Sequence, residues 1–118
     1  MRNIFSLGLL GALLLSPLCG CSRPASAESS LTRLEQSFPA ATANPELQLA
    51  IAASKARDFA TGVVALGNVK KTPGLTPQQL MAVEQAQQAM TADLIRRADG
   101  GDAAARAELA RIEQSRSQ

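Results

Sequence analysis

Two thiols, Cys19 and Cys21, stand on either side of Gly20 in the run Leu18-Cys19-Gly20-Cys21, and they carry the most reactive chemistry this sequence offers. The chain has no His, so neither the thiols nor any Ser or Thr hydroxyl has the imidazole base that activates a nucleophile. No G-x-S-x-G elbow and no S-x-x-K run occurs. Metal ligation has little to work with: Glu84, Asp93, Asp99 and Asp102 lack turn glycines at the spacing of a calcium loop. Asp99-Gly100-Gly101-Asp102 comes nearest, and it reads as a helix stop followed by a helix N-cap. No catalytic residue, cofactor, metal or small-molecule substrate is expected.

The thiols therefore take their meaning from what precedes them. Arg2 is followed by an apolar run from Ile4 to Leu15, and Pro17 cuts the stretch short of the roughly 20 apolar residues a spanning helix needs. A charged start, a short apolar run and a small residue before a cleavage point make an export signal. Leu18, Gly20 and Cys21 resemble the lipobox of bacterial lipoproteins, in which Leu stands at minus three, a small residue at minus one and the modified Cys at plus one. The resemblance implies cleavage before Cys21, removal of Cys19 with the signal, and lipidation of Cys21. It also implies a location in the bacterial cell envelope. With Ser22 rather than Asp after the cysteine, the outer membrane facing the periplasm is expected if the source is a diderm. The alternative is an ordinary signal peptide cut at Ala25-Ser26-Ala27, which would discard both cysteines. Either way the mature chain keeps no thiol able to form a disulfide.

The expected organisation is a signal peptide at 1–20, a lipidated Cys with a flexible tether at 21–30, a small α-helical domain at 31–114 and a frayed tail at 115–118. The tether, Ser22 to Ser30, is small and polar with one Pro, and its nine residues could reach about 30 Å. Of twelve Lys and Arg only Arg2 is lost with the signal, so eleven basic residues face ten acids. That balance, without Trp or Tyr to stack on bases, excludes a nucleic-acid binder.

Periodicity and caps predict helices throughout the domain and no strand. Ser30 is placed to cap a short helix carrying Leu31, Leu34 and Phe38, stopped by Pro39. Asn44-Pro45-Glu46 is an N-cap, a Pro at the first helical position and an acid at the positive helix end, starting a helix over 45–56. Asp58 caps the next, which carries Phe59, Val63, Leu66 and Val69 and ends at Thr72-Pro73-Gly74. Gly62 and Gly67 inside it cost about 1 kcal/mol each against Ala, or mark close helix contacts. Thr76-Pro77 opens a helix with Leu80, Val83, Ala86, Met90 and Leu94 inward, closed by Arg96-Arg97. Asp102 caps a last helix with Ala105, Leu109 and Ile112 inward and an Asp102–Arg106 pair at i, i+4.

The piece from Leu47 to Pro73, with Ala50, Ala53, Arg57-Asp58-Phe59, Leu66 and Val69, resembles one tetratricopeptide-type hairpin. Arg57 stands where Gly is usual, Gly62 replaces the packing Ala and Pro73 comes one residue early. A second unit would begin near Pro77, with a longer first helix and with Gly101-Asp102-Ala103 lacking the aromatic. The fold expected is all-α, short helices packed as one or two antiparallel hairpins. Such units normally need three or more copies to bury a continuous face, so a partner protein or a homo-oligomer is expected.

Lys70-Lys71 and Arg96-Arg97 are read as helix-end cations rather than headgroup binders, because lipid recognition takes clusters of four to eight. Met81 and Met90 could line an adaptable groove or be plain core. Gln78 to Gln88 reads as a neutral solvent face. The resulting expectation is a membrane-anchored, non-catalytic envelope lipoprotein whose helices at 45–71 and 77–97 offer a protein-binding face. The alternative is a self-associating structural lipoprotein in non-covalent contact with the cell wall.

Overall fold

Each helix of the domain begins where a side-chain oxygen can satisfy the free N–H groups of a first turn. The computed structural model describes residues 26–39 and 44–118. Among the described residues the fold is all-α: α1 (Ala27–Ser37), α2 (Pro45–Lys55), α3 (Phe59–Val69), α4 (Pro77–Asp99) and α5 (Ala103–Arg116). Asn44 accepts from the N–H groups of Glu46 and Leu47, and Asp58 from Thr61. Thr76 and Gln79 form a reciprocal capping box, and Asp102 accepts from Ala105.

Two boundaries differ from expectation. The first helix starts at Ala27, four residues early, because Ser26 holds the extended cap conformation and its hydroxyl accepts from the Ser29 N–H. Ser30 lies inside that helix and is buried, so the last four residues of the expected tether are its first turn. At the other end α5 runs on through Arg116, with Ser117 as C-cap, so the first two residues of the expected frayed tail are helical.

Helix α4 is the spine. It packs against α1, α3 and α5, while α2 packs chiefly on α3. The side-chain bonds give the directions. Asn44 bonds Thr72, joining the start of α2 to the residues after α3, so these two helices run antiparallel. Gln87 donates to the Val63 carbonyl and Lys70 pairs with Glu84 at 2.9 Å, setting α4 against α3 in the opposite sense. Gln79 donates to the Ser37 carbonyl, which places the end of α1 at the start of α4.

The core is one cluster. Leu34 of α1 and Phe38 at its C-cap join Leu47 and Ala50 of α2, six apolar side chains and Gly62 of α3, and Val83, Met90 and Leu94 of α4. Burial of an average side chain of this kind contributes about 1.5–3 kcal/mol. On α4 the buried stripe also takes in Ala82 and Asp93, whereas Leu80, expected inward, is 41% exposed. The first turn of α4 faces its neighbours with Gln79 and Ala82, and this rotation leaves Leu80 on the edge.

The two hairpins, α2–α3 and α4–α5, turn the same way. The Asp58 N–H bonds back to the Ala53 carbonyl at 2.8 Å and the Arg57 N–H to Ser54 at 3.0 Å; the Asp102 N–H bonds to Arg97 and the Gly101 N–H to Ala98, both at 3.0 Å. Both are Schellman closures. The left-handed position is filled by Arg57 (φ 63°) in one and Gly101 (φ 99°) in the other. In each, the following Asp supplies the closing N–H and then caps the next helix.

Candidate functional site

The Arg57 position demands φ > 0, which glycine adopts freely and other residues only at a cost. What holds an arginine there is a set of charged and aromatic neighbours. Its guanidinium lies 5.1 Å from the Phe59 ring centroid, 3.3 Å from Glu28 on α1 and 3.7 Å from Asp93 on α4. Asp93 is 8% exposed and also pairs with Arg96 and, at 3.5 Å, with Arg97, one turn on along its own helix. Arg97 continues the chain of charges to Asp102 at 3.1 Å and to Glu108 at 3.9 Å. Glu108 in turn accepts from the Ala60 N–H at the start of α3.

One cluster thus ties α1, both hairpin turns, α4 and α5 together. Its shifts follow from these contacts. The Ala105 N–H, and then Arg97, hold the Asp102 carboxyl below the usual aspartate range. Asp102, and then Asp93, push the Arg97 guanidinium further up. Four acids, Glu28, Asp93, Asp102 and Glu108, face three arginines, Arg57, Arg96 and Arg97, and each of these charges is engaged by another member of the cluster. Among the described residues no buried side-chain polar atom lacks a hydrogen-bond partner. The Ser54 hydroxyl donates to the Ala50 carbonyl at 2.6 Å and lies 3.1 Å from the Met90 sulfur. The polar groups of the described interior hold helices in place.

Two grooves open on the surface, and the first borders this cluster. A groove of about 360 Å³ separates α1 from the hairpins; Leu31, Phe59 and Met90 line it, and the Arg57–Glu28 and Lys55–Glu35 pairs cross its rim. A second groove of about 420 Å³ runs between α2, α3 and α5, with Leu49, Val64 and Arg111 on its walls. The large apolar side chains exposed among the described residues are Leu49, Leu80, Met81 and Ile95, all on α2 and α4.

The residues singled out from sequence are dispersed. Leu18, Gly20 and Cys21, with Cys19, lie outside the described residues. Lys70-Lys71 are separated in role: Lys70 caps α3 and pairs with Glu84, while Lys71 is exposed. Arg96-Arg97 belong to the Asp93 cluster. Met90 is core and Met81 is 61% exposed, so the two methionines share no groove. Asp102 caps α5 and pairs with Arg97, not with Arg106, whose guanidinium donates to the Ala98 carbonyl. Arg57 and Glu108 were not apparent as members of a charge cluster; the only local signal was an arginine where a hairpin turn wants glycine. No helix among the described residues is long and apolar enough to cross a membrane. No family model matches the chain, and no curated protein and no solved structure matches it.

Proposed function

We propose that this chain is an envelope lipoprotein, anchored through acyl chains on Cys21, whose helical domain works by binding another protein rather than by catalysis. The observation that carries the reading is Leu18-Cys19-Gly20-Cys21 behind an apolar run led by Arg2. Acylation at Cys21 contributes about 0.8 kcal/mol per buried methylene, so several chains hold a protein at a bilayer for its lifetime. Ser22 after the anchor favours the outer membrane in a diderm host. The exposed apolar side chains on α2 and α4, and the groove beside Leu49, support a contact role for the domain.

Metabolic labelling with an acyl-chain probe tests the anchor. Cys21→Ser is expected to abolish labelling and leave a larger precursor, while Cys19→Ser leaves processing intact. Labelling that survives Cys21→Ser overturns the assignment. Mild crosslinking in envelopes tests the contact role: a specific protein is expected with the wild-type chain and lost on Leu49→Asp. Recovery of no specific protein overturns it.

A further inference from the structure

The buried side of α4 is taken up by α1, α3 and α5, yet its opposite side is not the charged face a solvated helix usually shows. Met81, Gln88 and Ile95 lie on that side at intervals of seven residues. Seven residues fall about 20° short of two full turns, so all three stay within a strip about 40° wide and about 21 Å long. Met81 is 61% and Ile95 47% exposed. Ala92 is exposed beside them, and the strip's nearest charge between Met81 and Ile95 is Glu84, already bonded by Lys70 at 2.9 Å.

We propose that this strip is where two copies of the chain pair, with their α4 helices antiparallel, Gln88 at the two-fold axis and Met81 of each copy against Ile95 of the other. The strip is symmetric about its middle: one apolar side chain seven residues before Gln88 and one seven residues after. Reversing the partner therefore lays apolar on apolar at both ends. At the centre it places one Gln88 carboxamide against the other, and each has both a donor and an acceptor to offer. Charge selects this direction over the parallel one. A parallel pair would oppose Glu84 to Glu84 and Arg96 to Arg96. The antiparallel pair brings Glu84 instead over the small Ala92, on the side where the exposed Arg116 stands. A groove of about 360 Å³ lies there, between Gln88, Ala92 and Ile95 on one wall and Arg116 on the other. Met81, unbranched and adaptable, is the side chain of the second copy that enters it. The inference needs neither the lipid anchor nor a heterologous partner, so it stands or falls apart from the function proposed above. It also leaves the Leu49 groove free.

Disulfide crosslinking of the full chain in cells tests it, with the parent chain and the exposed α2 variant Gln48→Cys as controls. Gln88→Cys is expected to form a covalent dimer well above both. Met81→Cys co-expressed with Ile95→Cys is expected to form a mixed dimer. Met81→Cys alone is expected to form none, because its two copies sit about 21 Å apart along the strip. In sedimentation, Met81→Lys is expected to raise the dimer dissociation constant about tenfold or more by burying a charge opposite Ile95. Crosslinking of Gln88→Cys at the level of the controls, capture by that thiol of a different polypeptide in place of a second copy, or dimers from Met81→Cys alone overturns the proposal.

Discussion

Arg57 adopts a left-handed backbone that costs a residue with a Cβ about 1–2 kcal/mol. Against that stand a cation–π contact with Phe59, worth about 0.5–1 kcal/mol at an exposed site, and ion pairs to Glu28 and Asp93 that are discounted because the guanidinium is 56% exposed. Cost and contacts are of similar size. Arg57→Gly, which removes both, is therefore expected to stay within about 1 kcal/mol of the parent in urea unfolding. Arg57→Ala keeps the strained backbone and loses the contacts, and is expected to be destabilised by about 1 kcal/mol. Equal stability of Arg57→Ala and parent would show that the contacts hold nothing. The aspartates after the two left-handed residues were readable as caps from their types alone. The charge cluster was not, because Glu28, Arg57, Asp93 and Glu108 are brought together only by packing, and no local pattern links residues so far apart.

Helices whose first residues carry a short polar side chain and a proline, α2 and α4, begin where the sequence places them, since the cap is a local bond that does not wait for the rest of the fold. At α1 the cap is Ser26 and not the expected Ser30, because Ser30 is needed on the buried side. Leu80 departs from expectation for a related reason: spacing alone cannot tell which edge of an apolar stripe meets a neighbour, and Ala82 and Asp93, which hydropathy passes over, lie on the edge that does. The two glycines of α3 illustrate what only packing decides. A Cβ on Gly62 would come within 2.8 Å of the Ser54 oxygen and 3.2 Å of the Met90 sulfur; one on Gly67 would meet nothing closer than Gln87 at 3.7 Å. Gly62→Ala is expected to destabilise by about 1–3 kcal/mol despite the better helix former, and Gly67→Ala to stabilise by about 0.5–1 kcal/mol. Thermal unfolding of the pair checks this, and a stabilising Gly62→Ala would remove the close approach of α3 to α4 from the account.

Across the whole molecule the all-α class and the hairpin order were evident in the sequence, while the attachment of α1 was not. Helix α1 reaches the rest through Leu34 and Phe38, on one side of α4, with exposed ion pairs Lys55–Glu35 and Arg57–Glu28 contributing little across the groove. Leu34 is fully buried, and Leu34→Ala is expected to cost about 2–5 kcal/mol. Hydrogen exchange should show the loss concentrated in α1, with α3 and α4 amides keeping most of their protection; uniform loss would mean that α1 and the hairpins open as one unit. The repeated hairpin turn has a further consequence, for which changes of chain length the molecule tolerates. One aspartate closes the helix behind it and opens the helix ahead, so the three-residue links at 56–58 and 100–102 have no slack. One inserted residue would separate those two duties and swing the following helix by about 100°. The link from Thr72 to Leu75 carries no such double duty, and Gly74 there sits in open space. Insertions and deletions that survive selection should accumulate between the hairpins and spare the turns within them.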